Sequence, residues 1–242
     1  MKHLIFAFAL LVHCLACAAP RLKGVTDKDP LSYAVGEDIV FTVSLEGAES
    51  FPDGVLATCP TRALKLYGKP MSIDEIVAKA LEDKAFYDES GGGVTLSGGE
   101  PLFFWEWAAE LFKAFKAAGL HTCLDTSLYA PSAAIDALLP VTDLWLPDYK
   151  ADDDALHVKF TGVSNKVIRE NLKRLVAAKA KMEVRCLVVP NCTDGADLAA
   201  RHAYLNSIGV PESSIVNLEY FDYARSKYLA LGMPDTMPPK GA

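Results

Sequence analysis

From residue 72 to residue 220 the chain repeats one unit: a short run of β-branched and apolar residues, then a longer stretch with apolar residues at helical spacing. This alternation constrains the fold more than any other feature, because strand–helix–strand units join parallel strands through right-handed crossovers. Strands are predicted at 94–97, 121–126, 142–148, 184–189 and 215–220. A capping box of Ser72 and Glu75 opens a helix with an apolar stripe of Ile73, Ile76, Val77, Ala80, Leu81 and Phe86. Trp105, Ala108, Ala109, Phe112 and Phe115 mark the next helix, which Gly119 ends. Further helices are predicted at 133–139 and 153–160, from an Asn165 cap through Ile168, Leu172, Leu175 and Val176, and over 196–208 before Gly209. The result is an α/β fold with a parallel sheet, either an arc of a barrel or a doubly wound sheet. Five strands fall short of the eight of a full (βα)8 barrel.

A chain of 242 residues with 51% hydrophobic content can bury a real core. Its net charge of -7 and lack of Lys/Arg clusters argue against nucleic acid or an anionic membrane as the main partner. Six cysteines, at 14, 17, 59, 123, 186 and 192, are too sparse for a disulfide scaffold, and only Cys14 and Cys17 have a C-x2-C spacing. That pair lies in a stretch that reads as a secretory signal: Lys2 and His3, then an uncharged run too short for a stable membrane span, with Ala16 and Ala18 placed for cleavage before Ala19. Residues 1–18 are therefore expected to be signal-like and to direct export. Residues 19–58 read as a short β-rich leader, with a strand at 39–45 and a loop around Pro52-Asp53-Gly54, and residues 59–242 as the α/β unit.

Ligands of parallel α/β folds collect at the carboxyl ends of the strands. Those ends carry Gly98, Gly99 and Glu100, then Asp125 and Thr126, then Asp148 and Lys150, then Pro190 and Asn191, with Arg185 on a neighbouring strand. Each has an ordinary structural role open to it. Glu100 suits the first turn of a helix, Asp125 a cap, Asp148 a turn and Lys150 a solvated surface. Together, carboxylates, a lysine, an arginine and open glycine amides make a set that can hold a small zwitterion such as an amino-acid moiety.

Three segments carry a resemblance: Gly92-Gly93-Val94-Thr95-Leu96-Ser97-Gly98-Gly99-Glu100-Pro101-Leu102, Ala118-Gly119-Leu120-His121-Thr122-Cys123-Leu124-Asp125-Thr126-Ser127, and Thr161-Gly162-Val163-Ser164-Asn165. In wording and order they resemble the glycyl-radical-enzyme activating enzymes of the radical S-adenosylmethionine group, pyruvate formate-lyase activating enzyme among them. The likeness runs from about Cys59 to Gly232. It implies a partial (βα)6 TIM-like barrel, incomplete at both ends. It also implies S-adenosylmethionine bound on a four-iron four-sulfur cluster, a glycyl-radical enzyme as partner, a monomer and a cytoplasmic setting. By the same resemblance Gly98, Gly99 and Glu100 meet the methionine ammonium, Asp148 and Lys150 serve the ribose and carboxylate region, and Arg185 lies near the cofactor. Asp125, Thr126, Asp148 and the Leu146 carbonyl match a monovalent-cation site.

Two departures stand out. The family holds its cluster on C-x3-C-x2-C, which leaves one iron for S-adenosylmethionine, and this chain has no such spacing; alanine, proline and valine stand at Ala48, Pro52 and Val55. Phe221 replaces the histidine of a Tyr-His pair and loses its hydrogen bond. Cys59 resembles a remnant of a cysteine-rich insert. The expectation is an activating enzyme impaired in radical chemistry. The alternatives are a non-catalytic exported or composite chain with a scaffold barrel, and a secreted carbohydrate esterase fragment. The last is hinted at by residues 26–37 but lacks a G-x-S-x-G nucleophile motif.

Overall fold

The computed structural model describes residues 4–6, 69–97 and 100–221. The leader strand expected at 39–45, Cys59, Gly98, Gly99 and the turn beyond residue 221 lie outside the described residues, and of the signal-like segment only Leu4–Phe6, a three-residue strand (β1), is described. Lys69–Met71 (β2) is a second short strand. The larger of two compact units holds residues 70–220. Among the described residues no helix is long and apolar enough to cross a membrane.

The strands of this unit are Gly93–Leu96 (β3), His121–Thr126 (β4), Leu144–Pro147 (β5), Val184–Val188 (β6) and Ile215–Glu219 (β7). β3 pairs with β4, β4 with β5 and β6 with β7, all parallel. Parallel bridges Trp145 to Met182 and Asp148 to Arg185 join β5 to the β6 segment. Three 2.9 Å bonds secure that seam: Trp145 N–H to Lys181 O, Glu183 N–H to Trp145 O, and Tyr149 N–H to Arg185 O. The spatial order is therefore the chain order, with no reversal. A doubly wound sheet reverses its order at a switch point, whereas right-handed crossovers in unbroken sequence place every helix on one side. The choice left open by the sequence resolves to the arc of a partial barrel.

The helices are Ile73–Leu81 (α1), Lys84–Ser90 (α2), Trp105–Ala117 (α3), Ser132–Leu138 (α4), Asp154–Thr161 (α5), Lys166–Ala177 (α6) and Gly195–Ser207 (α7). The capping box at Ser72 forms as expected, with Glu75 N–H 3.2 Å from Ser72 Oγ and Ser72 N–H 2.6 Å from Glu75 Oε2. The stripe ending at Phe86 does not form one face. The chain turns at Glu82 and Asp83, Asp83 takes the cap position of α2, and Phe86 points outward, 68% exposed. The expected Asn165 cap also differs. Its backbone is already helical at φ -80 and ψ -1 and its side chain caps nothing in α6. Its Nδ2 donates instead to Ala151 O at 3.1 Å and Asp152 O at 2.9 Å.

One sheet face is apolar and fully covered. Leu124, Trp145, Val184 and Cys186 are buried there with Phe112 of α3, Ile135 of α4, Leu172 and Leu175 of α6 and Leu205 of α7. Each such side chain contributes about 1.5–3 kcal/mol by leaving water. Alternation along the strands sends Cys123, Asp125, Leu144, Leu146, Arg185 and Leu187 to the opposite face, where all but Cys123 keep partial exposure. The site lies on that second face, at its carboxyl-terminal rim.

Candidate functional site

The rim divides into two hydrogen-bonded groups. The first is built on Glu100, which follows β3 and caps the short 3-10 turn Pro101–Phe104. Its Oε1 accepts from Leu102 N–H at 3.0 Å and from Thr126 Oγ1 at 2.5 Å. Its Oε2 accepts from Ser127 N–H at 2.8 Å and Ser127 Oγ at 2.6 Å. Glu100 thus clasps the end of β4 to the loop after β3. Beyond Thr126, Leu128 is fully buried at φ 58, a left-handed conformation costly for a branched side chain. Two contacts hold it there: Leu128 N–H donates to Thr126 Oγ1 at 3.0 Å, and Asn171 Nδ2 of α6 donates to Leu128 O at 2.9 Å.

The second group is charged. Arg185 donates through Nη2 to Asp125 Oδ1, and through Nε and Nη2 to Asp148 Oδ1 at 3.2 and 3.0 Å. Lys150 Nζ donates to Asp148 Oδ2 at 3.1 Å, and Ser97 Oγ donates to Asp125 Oδ2 at 2.8 Å. The side chains of Arg185, Asp125 and Asp148 are 20%, 23% and 27% exposed, so the group is sheltered yet open to a ligand. Burial opposes the charge on Arg185, but Asp148 and Asp125 outweigh it and raise its pKa. Two cationic and two anionic side chains at one sheltered rim are suited to a ligand bearing both charges.

Of the residues expected from the sequence, Asp125, Asp148, Lys150 and Arg185 come together, while Glu100 and Thr126 form the neighbouring clasp. Gly98 and Gly99 lie outside the described residues. The Leu146 side chain shares the open face, and the two carboxylates of the expected cation site converge on the Arg185 guanidinium. Asn191 falls beyond β6 at φ 59, with its N–H on Asp194 Oδ2 at 3.0 Å. Sequence reasoning missed Ser97 and Ser127 as partners, although both hydroxyls directly adjoin a strand end.

Thiol ligands for a cluster are not assembled among the described residues. Cys123 and Cys186 are buried, and burial raises both thiols, Cys186 to about 11. Thiols so placed stay protonated and ligate metal poorly. No three His, Cys, Asp or Glu side chains among the described residues group as a metal site requires.

A family profile described as the Radical SAM superfamily matches residues 57–200. The chain belongs to the radical SAM superfamily. Its relatives bear out the narrower resemblance to activating enzymes. The (2S)-3-sulfopropanediol dehydratase activating enzyme of Klebsiella oxytoca is 41% identical over 180 residues, covering 74% of this chain and 57% of that protein. Pyruvate formate-lyase 1-activating enzyme of Escherichia coli K12 is 35% identical over 180 residues, covering 72% of this chain and 73% of that protein. This radical SAM chain thus spans little more than half the length of the Klebsiella relative. Among solved structures, a domain of pyruvate-formate lyase-activating enzyme from Bacteroides vulgatus ATCC 8482 matches with a TM-score of 0.51 and 27% identity, over 58% of this chain and 93% of that domain.

Proposed function

We propose that this chain is a glycyl-radical-enzyme activating enzyme by descent, that it keeps a binding site for S-adenosylmethionine, and that it is impaired in radical generation. The observation that carries the reading is the convergence of Asp125, Asp148, Lys150 and Arg185 at one rim of a radical SAM barrel arc. The donor set suits the cofactor. Lys150 and Arg185 match a carboxylate and Asp148 matches ribose hydroxyls or an ammonium, while Glu100, whose oxygens already accept from Leu102, Thr126 and Ser127, would shape the loop beside the ammonium. When bound and reduced in this superfamily, the cofactor supplies a radical that abstracts hydrogen; a glycine of a glycyl-radical enzyme is the target on this reading.

The cluster does not fit in the same way. The sequence holds no C-x3-C-x2-C, and Cys123 and Cys186 are buried, raised in pKa and not grouped with a third ligand. No electron-transfer step is therefore assigned to these residues. A monovalent cation at Asp125 and Asp148 would enter in competition with the Arg185 guanidinium, which already carries the positive charge there.

Anaerobic reconstitution of the full chain with iron and sulfide, followed by its visible absorbance, tests the reading. No stoichiometric thiolate-to-iron band and no cleavage of S-adenosylmethionine are expected. A stable cluster that cleaves the cofactor would overturn the impairment.

A further inference from the structure

Arg201 of α7 is 0% exposed, a place where a guanidinium persists only when its charge is compensated. Asp197, one turn earlier and 10% exposed, compensates it as an ion pair, with Oδ2 3.0 Å from Nε but not aligned for a hydrogen bond. Arg201 Nη1 donates to Tyr149 O at 3.1 Å and to Leu187 O at 3.0 Å, and its Nη2 donates to Thr193 O. Asp197 Oδ1 accepts from Asp152 N–H at 2.9 Å and from Asp153 N–H at 3.4 Å. One ion pair on a helix thereby grips two rim segments, the loop 149–153 after β5 and 187–193, the end of β6 with the loop that follows it.

Tyr149 stands between Asp148 and Lys150, and it is fixed from every side. Its N–H bonds Arg185 O at 2.9 Å, its carbonyl is held by Arg201, and its hydroxyl donates to Asp152 Oδ1 at 2.8 Å. Arg169 reaches the same hydroxyl at 3.1 Å, stacks on Tyr204 at 3.5 Å and bonds Asp152 Oδ1 at 2.9 Å. Fixing the backbone of residue 149 fixes the directions in which its two charged neighbours leave the chain. We infer that Arg201, together with Asp197, is a positioning residue that sets Asp148 and Lys150 for their ligand from the far side of the strands. The inference rests on the proposed S-adenosylmethionine site, and nothing in it requires a cluster.

The test uses the full chain and the variants R201M, R201K and D197N, with two readouts beside the thermal transition that shows folding. One is the affinity for S-adenosylmethionine by equilibrium dialysis. The other is amide hydrogen exchange in 149–153 and 187–193. In R201M the affinity is expected to fall about tenfold or more, with faster exchange in both segments together and unchanged exchange in β3 and β4. R201K keeps a point charge but not the fork of donors, so it should recover part of both effects. If R201M does not fold, R201K and D197N carry the same comparison. A folded variant with wild-type affinity and wild-type exchange in both segments overturns the inference. If the wild-type chain binds no S-adenosylmethionine, the proposed function falls, and exchange alone decides the positioning role: coupled loosening of both segments supports it, and independence of the segments from Arg201 removes it.

Discussion

Both carboxylate oxygens of Glu100 are occupied, by donors from its own loop and from the end of β4. Replacement by alanine would leave the Thr126 and Ser127 hydroxyls and two backbone amides short of an acceptor. E100A should therefore lose about 2–3 kcal/mol of stability in urea denaturation, and E100Q less, because its amide oxygen retains some of the bonds. Asp143 makes a pH-dependent contribution. Burial pushes its carboxyl up, but Lys116 Nζ at 2.7 Å and Thr122 N–H at 2.8 Å pull it further down, below the ordinary 3.8. A carboxyl depressed in the folded state stabilises above its unfolded pKa, and that contribution vanishes as pH falls through the folded value. D143N should be less stable than wild type at neutral pH and should lose less on acidification below 3.8, measured by urea midpoints across that range. At this scale the sequence exposed residue types but not partners. Glu100 was legible from its Gly-Gly-Glu setting, whereas Ser127 and Thr126 reach it from another strand, and no local pattern encodes that meeting.

Among the elements, strands and helices followed from periodicity because each buries one face against the others. The exceptions have local causes. The break at Glu82 and Asp83 leaves no mark in an apolar stripe that continues by coincidence to Phe86. Asn165 has the composition of a cap but an already helical backbone, so its amide turns to Ala151 and Asp152. Arg201 had a readable signal: it shares a helical face with Leu198 and Leu205, where a lone arginine in an apolar stripe implies a buried partner. Gly93 carries a packing constraint that no local pattern marks, because a Cβ there would lie 2.1 Å from His121 O of β4. The glycine is required by strand pairing. G93A should cost about 1–3 kcal/mol or more and broaden or lower the thermal transition, while an alanine at Gly119, where a Cβ meets nothing within 4 Å, would be strained only through its φ of 72.

Chain order equals strand order from β3 to β7, and this places the carboxyl ends of β3, β4, β5 and β6, which carry the candidate residues, successively along one rim. The sequence implied the parallel sheet but left its winding open, since short crossovers permit either arrangement until the β5–β6 seam is known. The same winding explains why residues 60 positions apart, Asp125 and Arg185, share one ion pair. The four charged side chains of the candidate site lie at the rim of the arc, and no three metal-ligating side chains group among the described residues. On the proposed function, this rim binds S-adenosylmethionine without a cluster. Equilibrium dialysis of labelled S-adenosylmethionine against the iron-free full chain, with R185Q and K150A beside it, is the test. Saturable one-to-one binding is expected, weakened about tenfold or more by each substitution, the loss of one charge-assisted contact. Absence of saturable binding, or equal affinity in both folded variants, would contradict it.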